Sequence, residues 1–153
     1  MNKKVLLFWS PLSVSACRPS GSGVRPAAML KAFTELGIEV ALVDGPSEER
    51  AAKWNEVLGS GRQILGLYGE FSTMPVALAD PDHMPRAPFL DFRQFAHLRC
   101  KGVPVTAFYR DVYWRFPYYA KAVPFFKRMP AQLFVSAKAI PSDLKGSTGV
   151  LAP

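Results

Sequence analysis

The charged pair Arg110-Asp111 ends the apolar run Val103–Tyr109, and Tyr113, Trp114, Arg115 and Phe116 follow at once. In open α/β sheets ligands bind just beyond the carboxyl ends of the strands, so a charged pair and aromatic rings at that place suggest a site. Asp111 is the candidate catalytic carboxylate there, and Arg110, Tyr113 and Trp114 are candidates for holding a substrate. The alternative is structural, with Asp111 capping the next turn and the rings filling a core. A second cluster is Leu67–Pro75, where Glu70 can hold a sugar hydroxyl or act as a base and Ser72 and Thr73 can hydrogen-bond a polar ligand. Its structural alternative has Ser72 and Thr73 capping a short helix with Pro75 at its start, and Glu70 solvated. A third is Gly21-Ser22-Gly23 with Arg25, a flexible loop running into a helix N-terminus. Exposed amides, the helix dipole and a guanidinium together favour a phosphate or a carboxylate. Asp80-Pro81-Asp82-His83 has the residue types of a metal site, but Asx-Pro sequences initiate turns, and a turn is the expectation.

The elements that must carry these residues alternate between strand and helix patterns. Lys4–Ser10 is an almost wholly apolar run that reads as a first strand. The loop Pro11–Val24 leads to a helix over Pro26–Leu36, with Pro26 as its first residue and Ala27, Leu30, Phe33 and Leu36 on one face. Gly37 stops it, and Ile38–Val43 is the second strand, ended by Asp44-Gly45-Pro46. Ser47-Glu48-Glu49 opens a helix to about Leu58 with a hydroxyl cap and acids in its first turn. Ile64–Tyr68 is the third strand, and 71–88 is an irregular crossover with one short helix. Phe89–Lys101 reads as a helix ended by Gly102, Val103–Tyr109 as a buried fourth strand, and Leu133–Val135 as a further one. This order predicts an α/β, Rossmann-like parallel sheet with helices on both faces. There are no internal repeats.

A dinucleotide-binding site is the obvious first guess for such a start, and Asp44 ends the second strand where an acid would hold a ribose hydroxyl. The third glycine position is Pro26, however, and the glycines come well after the first strand instead of directly at its end. Nicotinamide binding is therefore not expected. A Walker loop is absent, because no Gly-Lys-Ser/Thr follows.

At 153 residues the chain is long enough for one domain with a real core, and no apolar run approaches the about 20 residues of a membrane span. The net charge of +7 is concentrated. Residues 81–128 hold nine of the Lys/Arg against three Asp/Glu, and twelve of the nineteen aromatic residues. Such a segment suits a phosphorylated, glycosyl-lipid or nucleic-acid partner, or an anionic membrane surface. Its structural alternative is a solvated basic face on an aromatic core. Cys17 and Cys100 make no disulfide framework, and with His83 and His97 they form no metal-ligand spacing, so a reduced cytoplasmic setting without a structural metal is expected. Met1–Cys17 has the outline of a lipoprotein signal, but Ser10, Pro11, Ser13 and Ser15 break its apolar region.

Several segments carry a resemblance. They are Val5–Ser10, Gly23–Phe33, Leu36–Val40, Ser72-Thr73-Met74-Pro75, Asp80–Pro85 and Phe108–Pro117. Together they resemble the amino-terminal, acceptor-side domain of bacterial group 1 (family 4-like) glycosyltransferases of the two-domain GT-B fold. The likeness runs from residue 3 to about 128 and weakly to 153. It implies that 1–153 is one Rossmann-like domain, half of a GT-B fold, with 129–153 approaching the interdomain linker and the donor-binding carboxyl-terminal domain absent. It implies transfer of a sugar from a nucleotide-sugar, a co-substrate, to a glycan or glycolipid acceptor in cell-surface polysaccharide synthesis, with no metal. It places Gly21, Gly23 and Arg25 near the donor diphosphate, and Glu70 and Asp111 along the acceptor side. Many relatives carry His-Asp where this chain has Arg110-Asp111, and Arg110 could contact phosphate instead. The expected location is cytoplasmic, with peripheral contact at the inner face of the membrane, and the chain alone is expected to be inactive. The competing expectation is a non-catalytic basic, aromatic module for an anionic membrane surface or nucleic acid; on the glycosyltransferase reading, nucleic acid is not expected as a partner.

Overall fold

The computed structural model describes residues 3–14, 21–72, 74 and 76–109. Four strands, β1 (Lys4–Ser10), β2 (Val40–Asp44), β3 (Gln63–Phe71) and β4 (Val105–Tyr109), pair in parallel in the order β2-β1-β3-β4. Three helices connect them: α1 (Gly21–Glu35), α2 (Ser47–Gly59) and α3 (Leu90–Cys100). A single 3-10 turn at Val76–Leu78 interrupts the crossover after β3. The chain is thus an α/β protein with a Rossmann-like parallel sheet.

The chain moves from β1 out to β2 and then back past β1 to β3, so right-handed crossovers put α1 and α2 on opposite faces. The contacts agree. On one face Val5, Leu7 and Trp9 of β1, Ala41 and Val43 of β2, and Leu67 and Phe71 of β3 form the main core with Trp54 and Val57 of α2 and Leu98 of α3. On the other face Phe8, Phe33 of α1 and Tyr68 make an aromatic triangle, with ring centroids 5.3 to 6.3 Å apart. The apolar run of β1 is explained by this double cover: Val5, Leu7, Phe8 and Trp9 are all fully buried.

Helix ends follow local chemistry. Gly37, at φ 73°, closes α1: its N–H donates to the Thr34 carbonyl and the Ile38 N–H to the Phe33 carbonyl, the paired bonds of a Schellman motif. Gly102, at φ 72°, repeats this after α3 with the Arg99 and Leu98 carbonyls. The start of α2 departs from expectation. Ser47 does not cap it; its N–H and Oγ both donate to the Asp80 carboxylate, each at 2.6 Å, across 33 residues. A carboxylate on the first turn meets the dipole better than a hydroxyl, so the turn at Asp80–His83 is a helix clamp. His83 takes φ 55° there, its N–H donating to the Asp80 carbonyl.

Two boundaries and one burial expectation are also corrected. α1 starts at Gly21, so the expected Gly-Ser loop before Pro26 is helical, and Pro26 lies buried inside the helix. A proline there removes one helical hydrogen bond. β3 extends through Gly69-Glu70-Phe71 because Phe71 lies against Trp9 and stacks on Tyr109 at 4.6 Å. β4 is half-buried along its whole length instead of buried, since among the described residues it pairs with β3 alone. Leu133–Val135 and the tail lie outside the described residues.

Two buried polar networks brace the carboxyl edge of the sheet. Arg50, with 1% of its side chain exposed, donates from Nε and Nη2 to the two Asp91 oxygens at 3.1 and 3.0 Å, and from Nη1 to the Gly45 carbonyl at 2.5 Å. Trp9 Nε1 donates to the same carboxylate at 3.1 Å. Asp44 accepts from the Val14 N–H at 2.6 Å and from Lys53 Nζ at 2.6 Å, which ties the loop after β1 to the end of β2. Among the described residues Gln94 and His97 are the exceptions to polar satisfaction: Gln94 is 3% exposed and neither atom of its amide has a partner, and His97 Nε2 is likewise buried without one.

Candidate functional site

The sheet order reverses between β1 and β3, and the crevice at their carboxyl ends is where a ligand fits such a fold. Ser10 is the last residue of β1, Asp44 the last of β2, and Glu70 the last but one of β3, so the expected common edge is present. Ser10 and Asp44 are engaged in local structure. The Ser10 Oγ donates to the Leu12 carbonyl at 2.8 Å and accepts from the Leu12 N–H at 3.2 Å.

Glu70 is the centre of a cluster that joins α1 to the strand ends. It is 5% exposed. Its Oε1 accepts from the Tyr68 hydroxyl at 2.7 Å and from Arg25 Nε at 3.2 Å. The Arg25 guanidinium carbon lies 3.4 Å from the ring centroid of Phe108, the residue of β4 in register with Glu70. One helix and two strands therefore converge on a single guanidinium. Side-chain alternation explains the grouping, because Tyr68, Glu70, Thr106 and Phe108 all point to the α1 face.

Of the expected site residues, Arg25 and Glu70 are brought together. Gly21 and Gly23 lie in the first turn of α1, on the same element as Arg25. Ser72 forms a local turn, its Oγ accepting from the Met74 N–H at 3.2 Å, next to the strand end that carries Glu70. Thr73, Arg110, Asp111, Tyr113 and Trp114 lie outside the described residues. Tyr68 and Phe108 were not anticipated; the signal for them was their two-residue spacing from Glu70 and from the charged pair at 110–111.

Burial, and then the hydrogen bond to Glu70, pushes the Tyr68 hydroxyl up to about 12, and burial does the same for Tyr109. Both values lie above the ordinary 10.0, so folding favours the neutral phenols. The stability they contribute is complete below pH 10 and is lost as pH rises through 12. Denaturation midpoints should fall over that window, and Tyr68→Phe with Tyr109→Phe should flatten the fall.

Among the described residues no group of three or more His, Cys, Asp and Glu side chains could hold a metal ion. Among the same residues no helix is long and apolar enough to cross a membrane. The fold is that of an α/β protein with a Rossmann-like parallel sheet whose strand order reverses between β1 and β3. No family model, no curated protein and no solved structure matches the chain.

Proposed function

We propose that the chain is the acceptor-side domain of a GT-B glycosyltransferase, which works with a donor-binding domain to move a sugar from a nucleotide-sugar to a glycan or glycolipid hydroxyl. The observation that carries this reading is the guanidinium of Arg25 held at the switch point by Glu70 and Phe108. It agrees with the resemblance of Gly23–Phe33 and Phe108–Pro117 to that family. In the reaction the acceptor oxygen bonds to the anomeric carbon while the bond from that carbon to the phosphate oxygen breaks. The nucleoside diphosphate leaves with the electron pair, and the acceptor proton passes to a base. Asp111 and Glu70 are the carboxylates offered for the acceptor side, with Arg110, Ser72, Thr73, Tyr113 and Trp114 as acceptor contacts. Cationic groups such as Arg25 stabilise the charge that grows on the departing diphosphate. The setting is cytoplasmic, with peripheral membrane contact where the acceptor is a glycolipid.

The test is an amide-shift titration of the protein with nucleotide-sugars and with neutral oligosaccharides. Saturable shifts at the carboxyl ends of β1, β3 and β4, dependent on the sugar, are expected. Shifts confined to Arg93, Arg99 and the rest of the basic segment 81–128, independent of the sugar and abolished by salt, would overturn the reading.

A further inference from the structure

We infer that α3 and β4 form one unit, residues 90–109, that opens from the rest of the fold about the Asp91 end of α3 and uncovers the carboxyl edge of β3. The inference stands apart from the sugar-transfer reading. It starts from polar atoms that folding leaves without partners. Gln94 Nε2 and Oε1 and His97 Nε2 are buried and unpaired. The two residues lie three apart on α3, so they are neighbours on one face of the helix. That face meets α2, where the Trp54 ring lies edge-on to the His97 ring, with centroids 6.3 Å apart. A buried polar group without a partner forfeits the hydrogen bonds that it makes to water when exposed. The closed seam between α2 and α3 is therefore disfavoured at these two positions, and parting it restores the lost hydrogen bonds.

One turn earlier the helix is fastened, because the Asp91 carboxylate accepts from Arg50 Nε and Nη2 and from Trp9 Nε1. α3 is thus pinned at its first turn and unsatisfied along the turns that follow. Past the pin, Leu98 in the main core, Phe95 against it and the ladder to β3 hold the unit. That ladder belongs to a weakly covered strand. β4 is half-buried along its whole length and pairs, among the described residues, with β3 alone. β1, by contrast, pairs on both sides and has Val5, Leu7, Phe8 and Trp9 fully buried. Local opening is cheapest where buried apolar contacts are fewest, which selects this unit over β1. α3 and β4 move together because their junction is stiff. The Lys101 and Val103 N–H groups donate to the Leu98 carbonyl and the Gly102 N–H to the Arg99 carbonyl. The consequence reaches the strand ends. β4 carries Phe108, which lies on the Arg25 guanidinium, and Tyr109, which stacks on Phe71, so its departure uncovers the end of β3 that holds Glu70. The unit acts as a gate on that edge.

The experiment is native-state amide hydrogen exchange of the whole protein, read residue by residue at low denaturant concentrations, for the wild type and for Gln94→Met and His97→Phe. Both substitutions keep the side-chain volume and remove the unpaired polar atoms, and the Phe ring keeps its edge on Trp54. In the wild type the helical amides of 95–100 and the ladder amides of β4 are expected to be about a hundredfold or more less protected than those of β1, with one shared denaturant dependence. Each substitution is expected to slow exchange in both α3 and β4 about tenfold. Slowing in β4 by a substitution on α3 is the mark of a single unit, since independent fraying of the helix end would leave the strand unchanged. Wild-type α3 and β4 protected as strongly as β1 would overturn the inference, because the unit would then open only with the whole fold. Exchange in β4 that ignores both substitutions would overturn it as well. The wild-type profile decides the first point even if one variant fails to fold. A protein that transfers no sugar but shows this exchange pattern would leave the gate standing and remove the glycosyltransferase reading.

Discussion

Asp91→Ala is expected to lower the folding stability by about 3–5 kcal/mol, the cost of removing one partner of a buried ion pair. The Asp91 carboxylate accepts from Arg50 Nε and Nη2 and from Trp9 Nε1, and it joins α3 to α2 and to β1. Without it the Arg50 charge stays in a site with 1% exposure, holding among the described residues the Gly45 carbonyl and the face of Trp9. Urea denaturation reads the loss directly. The double substitution Arg50→Met with Asp91→Leu should recover most of it, because apolar residues of similar volume remove both desolvation penalties together. An Asp91→Ala protein as stable as the wild type would show that this network does not brace the helices.

Trp9→Ala is the second large effect, again about 3–5 kcal/mol, and its origin is different. Trp9 is fully buried, its ring 4.8 Å from Phe71 and 5.2 Å from Phe95, so truncation leaves a cavity in the main core beneath α3. Trp9→Phe separates the contributions. It keeps most of the ring volume and deletes the indole N–H that donates to Asp91. Asp91 retains both Arg50 donors, so the expected cost is about 1–2 kcal/mol for a lost hydrogen bond to a charged group plus incomplete filling. Equal losses for Ala and Phe would mean that the hydrogen bond, and not the packing, dominates at this position.

The sheet was legible in the sequence because its strands are short apolar runs closed by breakers. Lys4–Ser10 falls where the apolar run ends at Pro11, and α2 starts at Ser47 behind Pro46. Gly37 and Gly102 mark the helix ends that they close. The edge that carries Ser10, Asp44 and Glu70 was legible for the same reason, since strand ends fix it. The buried networks were not. Arg50 and Asp91 are 41 residues apart, and a charged residue on a helix reads as solvated. A signal did exist in the spacing. Ser47, Arg50, Trp54 and Val57 share the buried stripe of α2, and Asp91, Gln94 and Leu98 that of α3, so polar residues sit on both apolar faces. The early start of α1 was illegible because glycine and proline disfavour helix, and the contacts of Arg25 with Glu70 and Phe108 that accompany it are tertiary.

On the proposal above, this edge serves sugar transfer from a nucleotide-sugar. The most direct measurement is acceptor-dependent release of nucleoside diphosphate by the protein expressed from its whole native reading frame, with a panel of nucleotide-sugars and a glycolipid or oligosaccharide acceptor. The account predicts release that requires both substrates, is selective for one donor sugar, and falls about tenfold or more in Arg25→Ala. No release with any donor, together with binding to anionic vesicles that drops steeply with salt and ignores sugars, would contradict it and identify the chain as a basic surface-binding module.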